Sequence, residues 1–424
     1  MIFSRLSNRQ FLRCWLTAFA FMLILSGCSL WNTASTQTPL LKATTSSKVV
    51  DTWYNIHAFL TFDGAISKPV DVSNRYDFVW GAEVNHAQAL ISGNPNIFLT
   101  YYMPFHRDVG TFTQNGPVSR PAYWKSTHPD WILYKCDRVT PAYEYGDLSM
   151  PLDFANPALV TWQIQTYAMP ASESGYNGIA ADNVNLENLF GACGVYQGGK
   201  WVQRYTGQID DLQWRADVIT WLMRMYKALH DLPHPMALIP NLSFGGLGPA
   251  TPSNPLLRQI LSNVDGVLDE SGFSNYSQGY LTDDDWILRI ELMEMVQGQH
   301  KPYYIVNRFP SVGPAEIQWA LASYLMGKEH ACALFISAAR GYGTDAWHKE
   351  FYARIGRPSD SMYQWQHVYV RDYSRGLSIV NPNAKNTYTV TLNAFHRYVD
   401  LYNNPVGPSI KVPPHSGIVL LLSF

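Results

Sequence analysis

The sequence is poor in charge and in cysteine, and it lacks the short motifs that announce many enzyme classes. Charged residues make up only 15% of the 424 positions, and the formal net charge is −2. Nucleic-acid binders carry a basic face, and nothing in this balance supplies one. No CxxC, HExxH, Walker A or GxSxG pattern occurs, which argues against zinc sites, nucleotide loops and serine hydrolases. The 12 histidines are scattered without metal-ligand spacing, so the reading assigns no metal and no cofactor. Internal repeats are absent. What the chain has in excess is aromatic: 14%, including 14 Trp and 26 Tyr. Rings in that number fill a large core, and some can line a pocket where sugars stack.

The N-terminus reads as a leader. Arg5, Arg9 and Arg13 precede the apolar run CWLTAFAFMLIL, which ends in Leu25-Ser26-Gly27-Cys28. That ending resembles a bacterial lipobox. The resemblance implies removal of residues 1–27 and lipidation of Cys28, hence a membrane anchor in the bacterial cell envelope. Ser29, rather than Asp, after the cysteine implies the outer membrane in a host that has one. Residues 28–50, rich in Ser and Thr, read as a flexible tether. Cys136, Cys193 and Cys332 then remain. Cys332, within ACALFIS, reads as a buried small hydrophobe. Export permits a Cys136–Cys193 disulfide, and sequence alone does not decide it.

From residue 51 to 365 short apolar runs alternate with helix-like segments. The runs are NIHAFLTF (55–62), YDFVWG (76–81), NIFLTYYMPF (96–105), GIAADNV (178–184), MALIPNLSF (236–244), DGVLDESGF (265–273), KPYYIVNRF (301–309) and ACALFIS (331–337). The longest helical pattern, 210–232, opens on Asp at a capping position. Eight strands alternating with helices predict an α/β fold, a closed (β/α)8 TIM barrel. Its first crossover, after Phe62, is too short for a good helix. Residues 106 to about 150 form a Pro- and aromatic-rich insertion of the kind that serves as a lid or binding loop. From 366 to 424 the pattern changes to short alternating strands, an appended antiparallel β-domain.

In such a barrel catalytic groups come from the C-terminal ends of the strands. Those ends carry Trp80, Tyr101 and Tyr102, Asp182 and Asn183, Asn241, Asp269 and Glu270, and Asn307 and Arg308. Two carboxylates facing across a cleft are what glycoside hydrolysis requires. Asp182 and Glu270, after strands four and six, are placed to be that pair. Adjacent side chains on a strand point to opposite faces, so only one of Asp269 and Glu270 faces inward. Val267 and Leu268 before the doublet and Gly272 after it favour Glu270. Trp80, Tyr101, Tyr102, Asn183, Asn241 and Asn307 are candidate substrate contacts. Asp153, in PLDFANP, either organises the loop before the Asn156-Pro157 helix start or joins them.

The segments GIAADNV, DGVLDESGF, HPDWILYKCD and MPLDFANPAL resemble glycoside hydrolase families of the α-galactosidase and polygalactosaminidase-like superfamily. The resemblance spans residue 50 to the C-terminus. It implies Asp182 as nucleophile or base, Glu270 as general acid/base, retention of configuration, and an oligo- or polysaccharide substrate. The rival expectation is a surface carbohydrate-binding lipoprotein that keeps the barrel without catalysis, because fold alone does not prove function.

Overall fold

The computed structural model describes residues 56–114, 120–146, 148–243, 254–329 and 331–423. The segments expected to be a leader and a tether, with Cys28, lie outside the described residues.

Each of the eight apolar runs contains one strand of a single parallel sheet. The strands are β1 (Leu60–Thr61), β2 (Phe78–Trp80), β3 (Phe98–Pro104), β4 (Gly178–Asn185), β5 (Ala237–Ser243), β6 (Val267–Asp269), β7 (Tyr303–Phe309) and β8 (Cys332–Ala338). They pair in chain order. A parallel bridge between Ala58 and Leu334 returns β8 to the start of β1 and closes the ring. The fold is a (β/α)8 barrel.

The pleat sorts every strand into two faces. Inward, Phe59, Phe78, Phe98, Tyr304 and Phe335 fill the barrel, and Ala180, Ala237 and Ala333 leave them room. Phe78 and Tyr304 stack with centroids 4.0 Å apart. Outward, Leu99, Ile179, Leu238, Val267 and Ile305 pack under the helices. The short first crossover holds only a five-residue helix, Pro69–Ser73. Helix starts follow the capping residues. Asp211 accepts the amide of Trp214 ahead of Leu212–His230, and Asn156 accepts that of Ala158.

The insertion after β3 does not stand alone. Its strand Tyr134–Lys135 pairs with Ala192–Gln197, which turns through Gly198 and Gly199 into Lys200–Gln203. Both glycines have positive φ (55° and 75°), the backbone of a tight two-residue hairpin turn. Cys136 and Cys193 form a disulfide that ties this sheet together. Cys332 is buried and free.

The C-terminal β-rich region begins at Tyr363 and builds a six-stranded and a two-stranded antiparallel sheet. It seats on the helix Pro314–Gly327. Gly417 lies so close that a Cβ would stand 2.6 Å from the Gln318 carbonyl oxygen. Buried Arg371 donates to the carbonyls of Leu325, Met326 and Lys328 at 3.1, 3.0 and 2.8 Å. A guanidinium there satisfies the carbonyls that a helix C-terminus leaves without partners.

Candidate active site

The C-terminal ends of the strands surround a cleft of about 480 Å³ whose lining includes Trp80, Arg107, Asp182, Asn183, Asn241 and Glu270. Asp182 reaches it through a local break in the sheet. Ala181 pairs with Pro240 and Val184 with Leu242, so β4 spends three steps where β5 spends two. The extra residue is a bulge, a device that re-aims side chains beside active sites. Asn183 takes its left-handed turn (φ 58°), a conformation Asn tolerates better than most residues. Pro240 sits opposite, where the disturbed ladder accommodates a residue without N–H.

The two carboxylates share one donor. Asn241 Nδ2 donates to Asp182 Oδ1 and to Glu270 Oε2, each at 2.9 Å. Carboxylate oxygens only accept, so the amide nitrogen, not its oxygen, faces both. Two oxygens bound at 2.9 Å to one nitrogen are at most about 5.8 Å apart, within reach of the ~5–5.5 Å of paired carboxylates that act on one bond.

Their remaining partners differ. Asp182 Oδ2 accepts from Tyr102 Oη at 3.0 Å and from Asn183 Nδ2 at 3.2 Å. Burial and the nearby Glu270 raise the Asp182 carboxyl above its ordinary 3.8, against the hydrogen bonds of Asn241 and Tyr102. Glu270 Oε1 accepts from the Arg308 guanidinium at 2.9 Å and from Tyr342 Oη at 2.6 Å. Arg308 also lies over the Tyr342 ring, 4.3 Å from its centroid. Burial, and then Glu270, push the Tyr342 phenol well above its usual value, so it stays a donor. Arg107 borders the same cleft and pairs with buried Glu144 at 3.0 Å.

Of the remaining candidates, Trp80 lies on the cleft floor with its Nε1 on the Ile239 carbonyl. Three positions need correction. Tyr101 points outward, fully buried beneath the helices, and donates to the Phe112 carbonyl. Asn307 also faces out, where its Oδ1 accepts the amide of Phe273 at 2.9 Å and fixes the loop after β6. Asp153 is buried in the loop that follows the insertion and pairs with Arg204 at 2.8 Å, and burial pushes its carboxyl up to about 6 despite that partner. None of the three borders the cleft. The loop residues Tyr145, Tyr276 and Tyr342 do border it, and no periodicity marked them. Among the described residues no group of three or more His, Cys, Asp or Glu side chains could hold a metal ion.

No protein-family model and no curated protein matches the chain. Solved structures resemble it at low identity. A variant of the glycoside hydrolase domain of PelA from Pseudomonas aeruginosa is 13% identical, covering 67% of this chain and 94% of that one, with a TM-score of 0.42. The alpha-amylase of Geobacillus thermoleovorans is 12% identical, covering 88% and 99%, with a TM-score of 0.46. A family 39 glycoside hydrolase from Bacteroides cellulosilyticus is 9% identical, covering 88% and 82%, with a TM-score of 0.48.

Proposed function

We propose that this chain is a glycoside hydrolase that cleaves an extracellular or envelope polysaccharide by a retaining double displacement, without metal or cofactor. One observation carries the reading: the single amide of Asn241 that bonds both carboxylates at 2.9 Å. That spacing suits a retaining pair, because an inverting pair stands ~6.5–9.5 Å apart to admit a water between sugar and base.

In the first step Asp182 attacks the anomeric carbon while Glu270 gives its proton to the departing glycosidic oxygen. In the second, Glu270 takes a proton from water, whose oxygen displaces Asp182 and restores both groups. The reaction needs a proton on Glu270 and the charge on Asp182. Asn241 and Tyr102 stabilise the charge on Asp182 by donating to it. Arg308 and Tyr342 both bind Oε1 of Glu270 and leave Oε2, the oxygen nearer Asp182, for the exchanged proton. The lipobox-like Leu25-Ser26-Gly27-Cys28 supports attachment to the envelope through Cys28.

The test is release of reducing ends from a panel of polysaccharides by wild type and Glu270→Gln. Loss of a general acid/base costs about 10²–10⁴-fold in turnover. A wild-type protein that binds glycans yet cleaves none would instead be the non-catalytic binder.

A further inference from the structure

The C-terminal β-rich region holds a groove of about 580 Å³, which shares no lining residue with the carboxylate cleft. We propose that this groove binds a neutral glycan chain, with Tyr363 and Trp365 as its stacking surface. Such a site goes beyond the hydrolase reading and stands whether or not the carboxylates cleave. The strand Tyr363–Trp365 lies at the edge of the six-stranded sheet. Its pleat puts residues two apart on one face: Tyr363 and Trp365 line the groove, and Gln364 between them does not. The two rings are 40% and 50% exposed. Trp365 is the one exposed tryptophan among the described residues, the others being buried or half-buried. Core filling accounts for those other indoles and not for this one.

The aromatic strand is held in place. Tyr363 Oη donates to Asp372 Oδ2 at 2.7 Å. After Trp365 the chain turns through Gln366 and His367, both left-handed (φ 50° and 70°), without the glycine that such a hairpin turn favours. Two contacts fasten this turn to the two-stranded sheet. Gln366 Oε1 accepts the amide of Thr391 at 2.7 Å, and the His367 ring stacks on Tyr388. Rings fixed before binding lose little freedom when a ligand arrives. The remaining lining selects the occupant. Val370, Ile379 and Leu392 are apolar, whereas Ser359, Asp372, Thr391, Asn393 and His396 are polar. A lipid chain would strip water from those polar groups and return no hydrogen bond. A peptide added to the edge would use the strand's backbone, and the groove opens on its side-chain face. No Lys or Arg lines it and Asp372 is its sole carboxylate, so an anionic polymer finds no counter-charge. Flat rings beside hydroxyl and amide groups match a neutral sugar, which offers C–H faces and hydroxyl edges.

The test is calorimetric titration of Asp182→Asn, chosen so that no probe is cleaved, with maltohexaose, cellohexaose and N-acetylchitohexaose. At least one probe should bind. Adding Trp365→Ala should weaken that binding about 10-fold or more, and Trp365→Phe, which keeps a flat ring, should stay within about threefold. An unchanged melting temperature reports that the variants are folded. Affinities that Trp365→Ala leaves unaltered, or a protein that binds none of the probes, overturn the groove as a glycan site. A dimer in sedimentation that Trp365→Ala dissociates makes this face a contact between copies and overturns it too. Binding that depends on Trp365 in a protein whose wild type cleaves no glycan supports the groove and sinks the hydrolase reading alone.

Discussion

Asp269 ends β6 and Glu270 follows it, two carboxyl side chains in succession, and the alternation of the chain sends them to opposite sides of the barrel wall. On the outer side Asp269 is 2% exposed. It accepts from the Arg289 guanidinium and from Tyr303 Oη, both at 2.6 Å, and from the amides of Ser271 and Gly272. Its acceptor capacity is used by partners on the helix Asp283–Gly298, on β7 and in its own loop. On the inner side Glu270 keeps 25% of its side chain exposed and faces a second carboxylate across one shared amide. The outer network satisfies a buried charge. The inner one brings two carboxyl groups close together at the open cleft.

The largest effect separating the two sides is expected from Asp182→Asn. Turnover should fall by about 10³-fold or more, some 4 kcal/mol of barrier. The unfolding free energy should stay level or rise, because a buried charge and its repulsion from Glu270 are removed together. A variant that loses stability along with activity would mean that the inner pair also holds the fold together. Next comes Asp269→Ala, which leaves Arg289 buried opposite no counter-charge. Urea unfolding should show a loss of ~3–5 kcal/mol, with activity per folded molecule largely kept. A loss below ~1 kcal/mol would erase the contrast between the faces.

The smallest effect is in pH. The Asp182 carboxyl is raised above 3.8 by burial and by Glu270. The acid limb of the kcat/KM profile should therefore lie above that value, activity disappearing as pH falls through it. The stability term runs the other way. A carboxyl whose pKa is higher in the folded state favours the fold below its unfolded value and loses that contribution as pH rises through the folded one. Wild type should thus lose stability across that window relative to Asp182→Asn. Parallel stability profiles for the two proteins would count against the shift.

Much of this arrangement is legible in the residues. Eight apolar runs ending in polar residues announce the barrel, and alternation selects Glu270 over Asp269. The same alternation decides Tyr101 against Tyr102 and Asn307 against Arg308. Ala180 and Asp182 share the inner face, as do Tyr304, Val306 and Arg308, and Tyr101 and Asn307 fall on the other. Gly198-Gly199 likewise marks the hairpin that organises the insertion. Tyr145, Tyr276 and Tyr342 are of another kind. They sit on loops without a period, and only the closed path of the chain brings them to the carboxylates. Asp153 illustrates the converse: a polar residue in a loop beside an active-site barrel, yet engaged by Arg204 within its own subdomain.

The bridge between Ala58 and Leu334, with hydrogen bonds of 2.9 and 3.3 Å around it, joins the first strand to the last. Contacts between such distant segments form slowly, because a long loop must close before they repay its entropy. A growing chain displays Asp182, Asn241 and Glu270 on a partial sheet well before the ring can shut. Tyr342, which bonds Glu270, lies beyond the eighth strand and arrives with closure. The order of synthesis thus delays the complete set of partners around Glu270 until the whole barrel has assembled.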